Sequence, residues 1–171
     1  MTHAVDILTD AFGRIRDTVS KSLDGLSEAE LTYRPGGDGN SIAWLAWHLA
    51  RVQDDHIADA SGADQVWAAD GWMDNFGLPF DHDETGYGMS TDEVSMVRGI
   101  TSEQLTSYLS AVHDRTVAYL AGLAPDDLDR IVDTRWNPPV TLAARLVSII
   151  GDDLQHAGQI GYVLGLVPVR T

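Results

Sequence analysis

Asp152 and His156 stand four residues apart in the run Gly151-Asp152-Asp153-Leu154-Gln155-His156-Ala157-Gly158-Gln159. On a helix that spacing brings both side chains to one face. The face continues through Ile149, Ile160 and Val163, so the pair points toward a packed interior. A carboxylate buried there costs several kcal/mol unless it is paired and hydrogen-bonded, and a divalent cation would satisfy both groups. An earlier segment supplies the complement: His48, among Trp44, Leu45, Leu49 and Val52, and His56 two turns later. One histidine from that segment together with Asp152 and His156 makes a two-histidine, one-carboxylate set. Such a set suits Zn²⁺, Ni²⁺ or Fe²⁺ and leaves positions open for water or substrate. Plainer readings compete, with His48 as a hydrogen-bonded core residue and Asp152–His156 as a surface pair worth a few tenths of a kcal/mol. His56, flanked by Asp55 and Asp59, reads as a solvated residue at a helix end, and His82 in Asp81-His82-Asp83-Glu84 reads as solvent-facing. His3 and His113 have no partner at ligand spacing, and the Trp44/Trp47 and Trp67/Trp72 pairs read as core and loop anchors.

Four long amphipathic segments are available to position these groups. The first runs from about His3 to Leu23, with Val5, Leu8, Phe12, Ile15, Val19 and Leu23 at steps of three and four. Ser27 with Glu30 fits a capping box, and Tyr33-Arg34-Pro35-Gly36-Gly37-Asp38-Gly39 breaks regular structure. The second segment, capped by Asn40 or Ser41, covers about Ser41 to Ala60. Residues 62–89 read as a long irregular connection whose aromatic residues suit packing rather than free motion. Ser90 with Glu93 opens a short helix ending near Gly99, and Thr101 with Gln104 starts the third segment, about Thr101 to Ala121. Pro125-Asp126-Asp127-Leu128 is a short helical turn and Trp136-Asn137-Pro138-Pro139 a connector. The fourth segment runs from Thr141 to about Leu164 and ends at Gly165 and Pro168. No sustained period-2 alternation marks a strand. The expectation is an all-α, four-helix bundle in one domain, residues 1–171, whose long second connection lets the second and third helices run parallel.

Composition narrows the function. There is no cysteine, which excludes disulfides, thiolate metal sites and a Cys nucleophile. The 26 acidic residues against 11 basic ones give a net charge of −15, a surface that repels phosphate backbones and anionic lipid. No apolar run approaches the roughly 20 residues of a membrane span, and Met1-Thr2-His3-Ala4-Val5-Asp6 lacks a signal-peptide pattern. These features predict a soluble, cytoplasmic protein with a small-molecule substrate and no nucleic-acid or membrane partner.

Ser41-Ile42-Ala43-Trp44-Leu45-Ala46-Trp47-His48, followed by Asp152-Asp153-Leu154-Gln155-His156-Ala157-Gly158-Gln159-Ile160, resembles the DinB-like metalloprotein superfamily over nearly the whole chain. The resemblance implies an up-down-down-up bundle, a divalent metal, and frequently a homodimer, for which apolar residues on the first and third segments are candidates. Its metal triad falls on His48, Asp152 and His156. The branch with a carboxylate at the middle position is similar to mycothiol-dependent maleylpyruvate isomerase. Asp152 is one methylene shorter than the Glu usual there, and Gln159 stands where relatives often carry a second histidine.

The resemblance also implies a low-molecular-weight thiol, mycothiol or bacillithiol, as cosubstrate for transfer to, or isomerisation of, a small electrophile. A cysteine-free chain fits a nucleophile brought by the cosubstrate. The connection 62–89 is expected to cover the pocket, helped by the 35–39 loop, and His56, Asp55 and Tyr87 are general acid or base candidates on position alone. Metal-assisted hydrolysis by bound water, or a bundle that binds without catalysis, are the alternatives.

Overall fold

The computed structural model describes residues 3–168; Met1 and Thr2, part of the N-terminal stretch read above, and residues 169–171 lie outside it. Four long helices carry the architecture: α1 (Ala4–Leu23), α3 (Ile42–Ser61), α7 (Ser102–Ala121) and α8 (Leu142–Leu166). Each begins or ends where its sequence says it should. The Ser41 hydroxyl accepts from Trp44 N at 3.1 Å and starts α3, while Gly62, at φ 70°, ends it in the left-handed conformation. Thr101 caps α7 through Gln104 N, and Thr141 caps α8 through Ala144 N. Both α1 and α3 pack against both α7 and α8.

The connection expected to be irregular contains two short helices, α4 (Val66–Ala69) and α5 (Trp72–Phe76). Trp67, Trp72 and Phe76 from this stretch cluster around Tyr108 of α7, with ring centroids 5.2, 5.7 and 5.7 Å from the tyrosine ring. Aromatic packing of this kind compensates helices too short to be stable alone. Short turns α2 (Glu28–Leu31) and α6 (Thr91–Ser95) follow the Ser27 and Ser90 capping boxes; α6 stops before Gly99.

The expectation of no strands is corrected. Ile131–Asp133 (β1) pairs antiparallel with Val140–Thr141 (β2), and the Trp136-Pro connector is the turn of this small ribbon. A strand of two or three residues is too short to display alternation.

Two apolar clusters fill the interior. One gathers Val19, Leu31, Leu45, Trp47, Leu49, Leu109 and Ile160; the other gathers Phe12, Ile57, Leu120, Leu142, Leu146 and Ile149. Each fully buried Leu or Ile contributes about 1.5–3 kcal/mol relative to an exposed one. Between the clusters the buried residues turn polar on three helices: Arg51, Gln53 and Asp54 on α3, His113 and Thr116 on α7, and Asp153 on α8. Among the described residues no helix is long and apolar enough to cross a membrane.

Among the described residues, large exposed apolar residues on the long helices are Val147, Leu154, Tyr162 and Leu166 on α8 and Ile7 on α1, with none on α7, while Tyr87, Met96, Ile131 and Trp136 stand outside them. The exposed apolar surface expected of the first and third segments amounts, among large side chains of the described residues, to Ile7 on α1.

Candidate metal centre

The packing of α3 along α8 brings His48, Asp152 and His156 together, with one potential ligand atom from each lying within 4.8 Å of the others. The two imidazoles meet edge to face, centroids 4.8 Å apart at 79°. Trp44, one turn before His48, stacks flat on that ring at 4.6 Å and presents an edge to His156 at 6.2 Å. His48 is buried, His156 mostly so, and Asp152 is 38% exposed along its side chain.

Hydrogen bonds fix which nitrogens face the centre. A backbone carbonyl can only accept, so His48 Nδ1 must donate to Thr85 O, leaving Nε2 with the lone pair. His156 Nδ1 donates to Gln159 Oε1 at 2.9 Å, and its Nε2 lies 3.6 Å from Asp152 Oδ1. Asp152 Oδ2 is buried with no hydrogen-bond partner. Two imidazoles with oriented lone pairs and a carboxylate oxygen lacking a proton donor are what a divalent cation needs. The donor set fits such an ion. Burial holds the His48 pKa below the ordinary histidine value, against an opposing push from the Thr85 carbonyl, so the ring favours its neutral, ligating form.

Thr85 reaches His48 because the next residue is glycine. Gly86, at φ 94°, lies where an added Cβ would come within 2.8 Å of His48 Nδ1 and 3.1 Å of Trp47. The strap 82–86 is latched from below by Arg51, a fully buried guanidinium that donates to Glu84 O at 3.0 Å and His82 O at 3.2 Å. Arg51 also lies over the Trp67 ring at 4.9 Å and 3.5 Å from Asp54. Asp54 in turn accepts from Val66 N, Trp67 N and the Tyr108 hydroxyl, each at 2.8 Å. Burial raises the Asp54 pKa, while these donors and Arg51 oppose the rise. The fold of residues 62–86 is thus tied to α3 by one buried ion pair a turn away from His48.

A cavity of about 410 Å³ opens onto the centre, with His48, Asp152, Asp55, His56, Tyr87 and Trp136 in its wall. The connection 62–89 contributes Thr85 and Tyr87 to its lining, and the ribbon turn contributes Trp136. The 35–39 loop, held by Arg34 on Gly39 O and Asp38 O, does not border it. A wider hollow of about 730 Å³, bordered by Asp55, Asp59, Asp64 and His82, touches none of the three triad residues.

Several placements differ from expectation. His56 is not a solvated end residue: it is half-buried, with Nδ1 3.2 Å from Arg145 Nη1. His113, as expected, has no ligand partner: it is buried with Nδ1 unpaired among the described residues. On α8 the acid that enters the core is Asp153, fully buried with both oxygens unpartnered, while Asp152 lies at the flank. Burial, reinforced by the neighbouring Asp152 charge, raises the Asp153 pKa above the ordinary carboxylate value and so favours the neutral acid. Arg145, Arg51 and Asp153 were all legible as charges in register with core positions, Arg145 with Leu142 and Ile149, Asp153 with Ile149 and Ile160.

Among solved structures, the crystal structure of a conserved protein from Enterococcus faecalis superposes on this one with a TM-score of 0.90 at 30% sequence identity, covering 98% of each chain. No curated protein matches the sequence. Residues 11–160 match the DinB superfamily as a whole. On that match, which spans all but the ends of the chain, this protein belongs to the DinB superfamily.

Proposed function

We propose that this protein is a divalent-metal-dependent transferase or isomerase that uses a low-molecular-weight thiol, of the mycothiol kind, on a small electrophilic acceptor. The superfamily is metal-binding and its members are often metal-dependent enzymes. The observation that carries the reading is the convergence of His48, Asp152 and His156, one ligand atom from each within 4.8 Å of the others, beside a cavity that His48 and Asp152 line. His48, Asp152 and His156 would hold Zn²⁺, Ni²⁺ or Fe²⁺. A bound ion of this kind lowers a thiol's pKa and supplies thiolate at neutral pH. The chain has no cysteine of its own, which suits a nucleophile that arrives with the cosubstrate.

The protein's own groups do the rest. Thr85 and Gln159 hold the two rings with Nε2 inward. Tyr87 and Trp136 border the opening and shield the acceptor from water. The same reading takes the four long helices as an up-down-down-up bundle in one domain, cytoplasmic and homodimeric, acting on small molecules alone.

The test is turnover of an electrophilic bimane by metal-loaded protein with mycothiol, bacillithiol or glutathione. Dependence on both metal and one of these thiols supports the reading. Metal-dependent turnover that proceeds equally without thiol replaces it with hydrolysis by bound water. No turnover of any acceptor with stoichiometric metal bound leaves a binding protein.

A further inference from the structure

His56, like His48, is a cavity residue whose proton position is dictated by a neighbour that has no alternative. Arg145 Nη1 lies 3.2 Å from His56 Nδ1, and a guanidinium has only donors, so Nδ1 must accept. The neutral ring then carries its proton on Nε2. Among the described residues that atom has no hydrogen-bond partner, it is not among the buried unsatisfied atoms, and its ring lines the cavity.

Arg145 is itself immobilised. It is mostly buried, gives Nη1 to Asp59 at 3.0 Å and Nη2 to Asp133 at 3.1 Å, and Asp133 is clamped from the far side by Arg135 Nη2 at 2.8 Å. Asp133 belongs to β1, so the ribbon that carries Trp136 to the rim of the cavity also backs the arginine. Protonating His56 would set an imidazolium against this fixed guanidinium. The opposing acids, Asp55 and Asp59 on α3 and Asp152 on α8, lie about the ring but none accepts from it; the nearest, Asp55 Oδ2, is 3.7 Å away.

We propose that His56, fixed by Arg145 as the neutral Nε2–H tautomer, is a recognition point for the carbonyl oxygen of an uncharged ligand whose apolar body lies against Tyr87 and Trp136. An N–H donor finds no acceptor on an ammonium group, which would meet donor with donor. The carboxylates of Asp55, Asp59 and Asp152 discriminate against anions. His56 follows His48 by two helical turns, about 12 Å along α3 at ~1.5 Å per residue, so the carbonyl would be recognised beyond Asp152, away from the metal end of the cavity. No proton is transferred; the bond orients the ligand and polarises its carbonyl. The assignment of the ligand as the acceptor rests on the proposed function, whereas the tautomer and the carbonyl contact do not.

Metal-free protein therefore suffices for the test. Long-range ¹H–¹⁵N correlation of the histidine rings at pH 7 is expected to show His56 as the neutral Nε2–H tautomer, with Arg145→Gln giving a tautomer mixture. Cyclohex-2-enone labelled with ¹³C at the carbonyl is the binding probe. Its carbonyl resonance should move downfield on binding to the wild type, not move with His56→Leu, and recover with His56→Gln, which restores an N–H donor. Benzoate should bind at least tenfold more weakly than the enone. An Nδ1–H tautomer or an imidazolium at pH 7, or an equal carbonyl shift in wild type and His56→Leu, overturns the proposal. Because neither metal nor thiol is present, these outcomes stand apart from success or failure of the thiol-transfer assay.

Discussion

Helix α3 carries two buried polar clusters within a single turn of each other, and they are finished to different degrees. In the Arg51 cluster every charge is matched: Asp54 takes three hydrogen bonds, and Arg51 gives its protons to two carbonyls and a hydroxyl. Around His48 the outward nitrogens are tied down while Asp152 Oδ2 has no donor. Leaving a buried polar atom unmet costs about 1–3 kcal/mol, a cost that a bound cation would relieve at Asp152. The first cluster holds the strap; the second is held by it.

Removing one member from each cluster breaks the comparison most strongly. Asp54→Ala strands a buried guanidinium and is expected to cost about 3–5 kcal/mol, seen as a large drop in the circular dichroism melting temperature. His156→Ala is expected to leave the metal-free melting temperature within a few degrees of wild type while abolishing the gain on adding Zn²⁺. Equal losses in the two variants would erase the distinction.

Gly86→Ala attacks the joint between the clusters. A side chain at φ 94° whose Cβ would press on His48 Nδ1 is expected to cost about 1–3 kcal/mol. It should also weaken Zn²⁺ binding at least tenfold by calorimetry, because Thr85 can no longer orient the ring.

Asp153→Asn sharpens the contrast with an effect of opposite sign. The raised Asp153 pKa means that the folded chain keeps a proton that the unfolded chain releases above pH ~4. This residue's contribution to stability is therefore full below that pH and falls as pH rises toward the folded value. The isosteric amide removes the loss, so the substitution is expected to stabilise the protein by about 1 kcal/mol, more at pH 8 than at pH 5, read from urea midpoints. The lowered pKa values of His48 and His56 act the other way: their contribution is present above about 6.5 and is lost as pH falls below it toward the folded values.

The long helices and their caps were legible because each is set by local periodicity and a hydroxyl three residues ahead of an amide. The triad followed from ligand spacing and the family resemblance together. What escaped was whatever depends on partners far apart in sequence. His56 flanked by two aspartates reads as solvated, and only the approach of Arg145, from 89 residues later, reveals otherwise. The adjacent Asp152 and Asp153 both stand in register with core positions, and a rotation of one residue on α8 decides which goes to the flank and which into the core. The ribbon could not announce itself in so few residues, yet it supplies Trp136 and the brace behind Arg145.

The most direct test of the central claim is calorimetric titration of untagged, metal-free protein with Zn²⁺, beside His48→Ala and His156→Ala. One site per chain in the wild type, lost in both variants while their helical spectra persist, is the predicted result. Absence of stoichiometric binding in the wild type, or undiminished binding in both variants, would contradict a centre built from His48, Asp152 and His156.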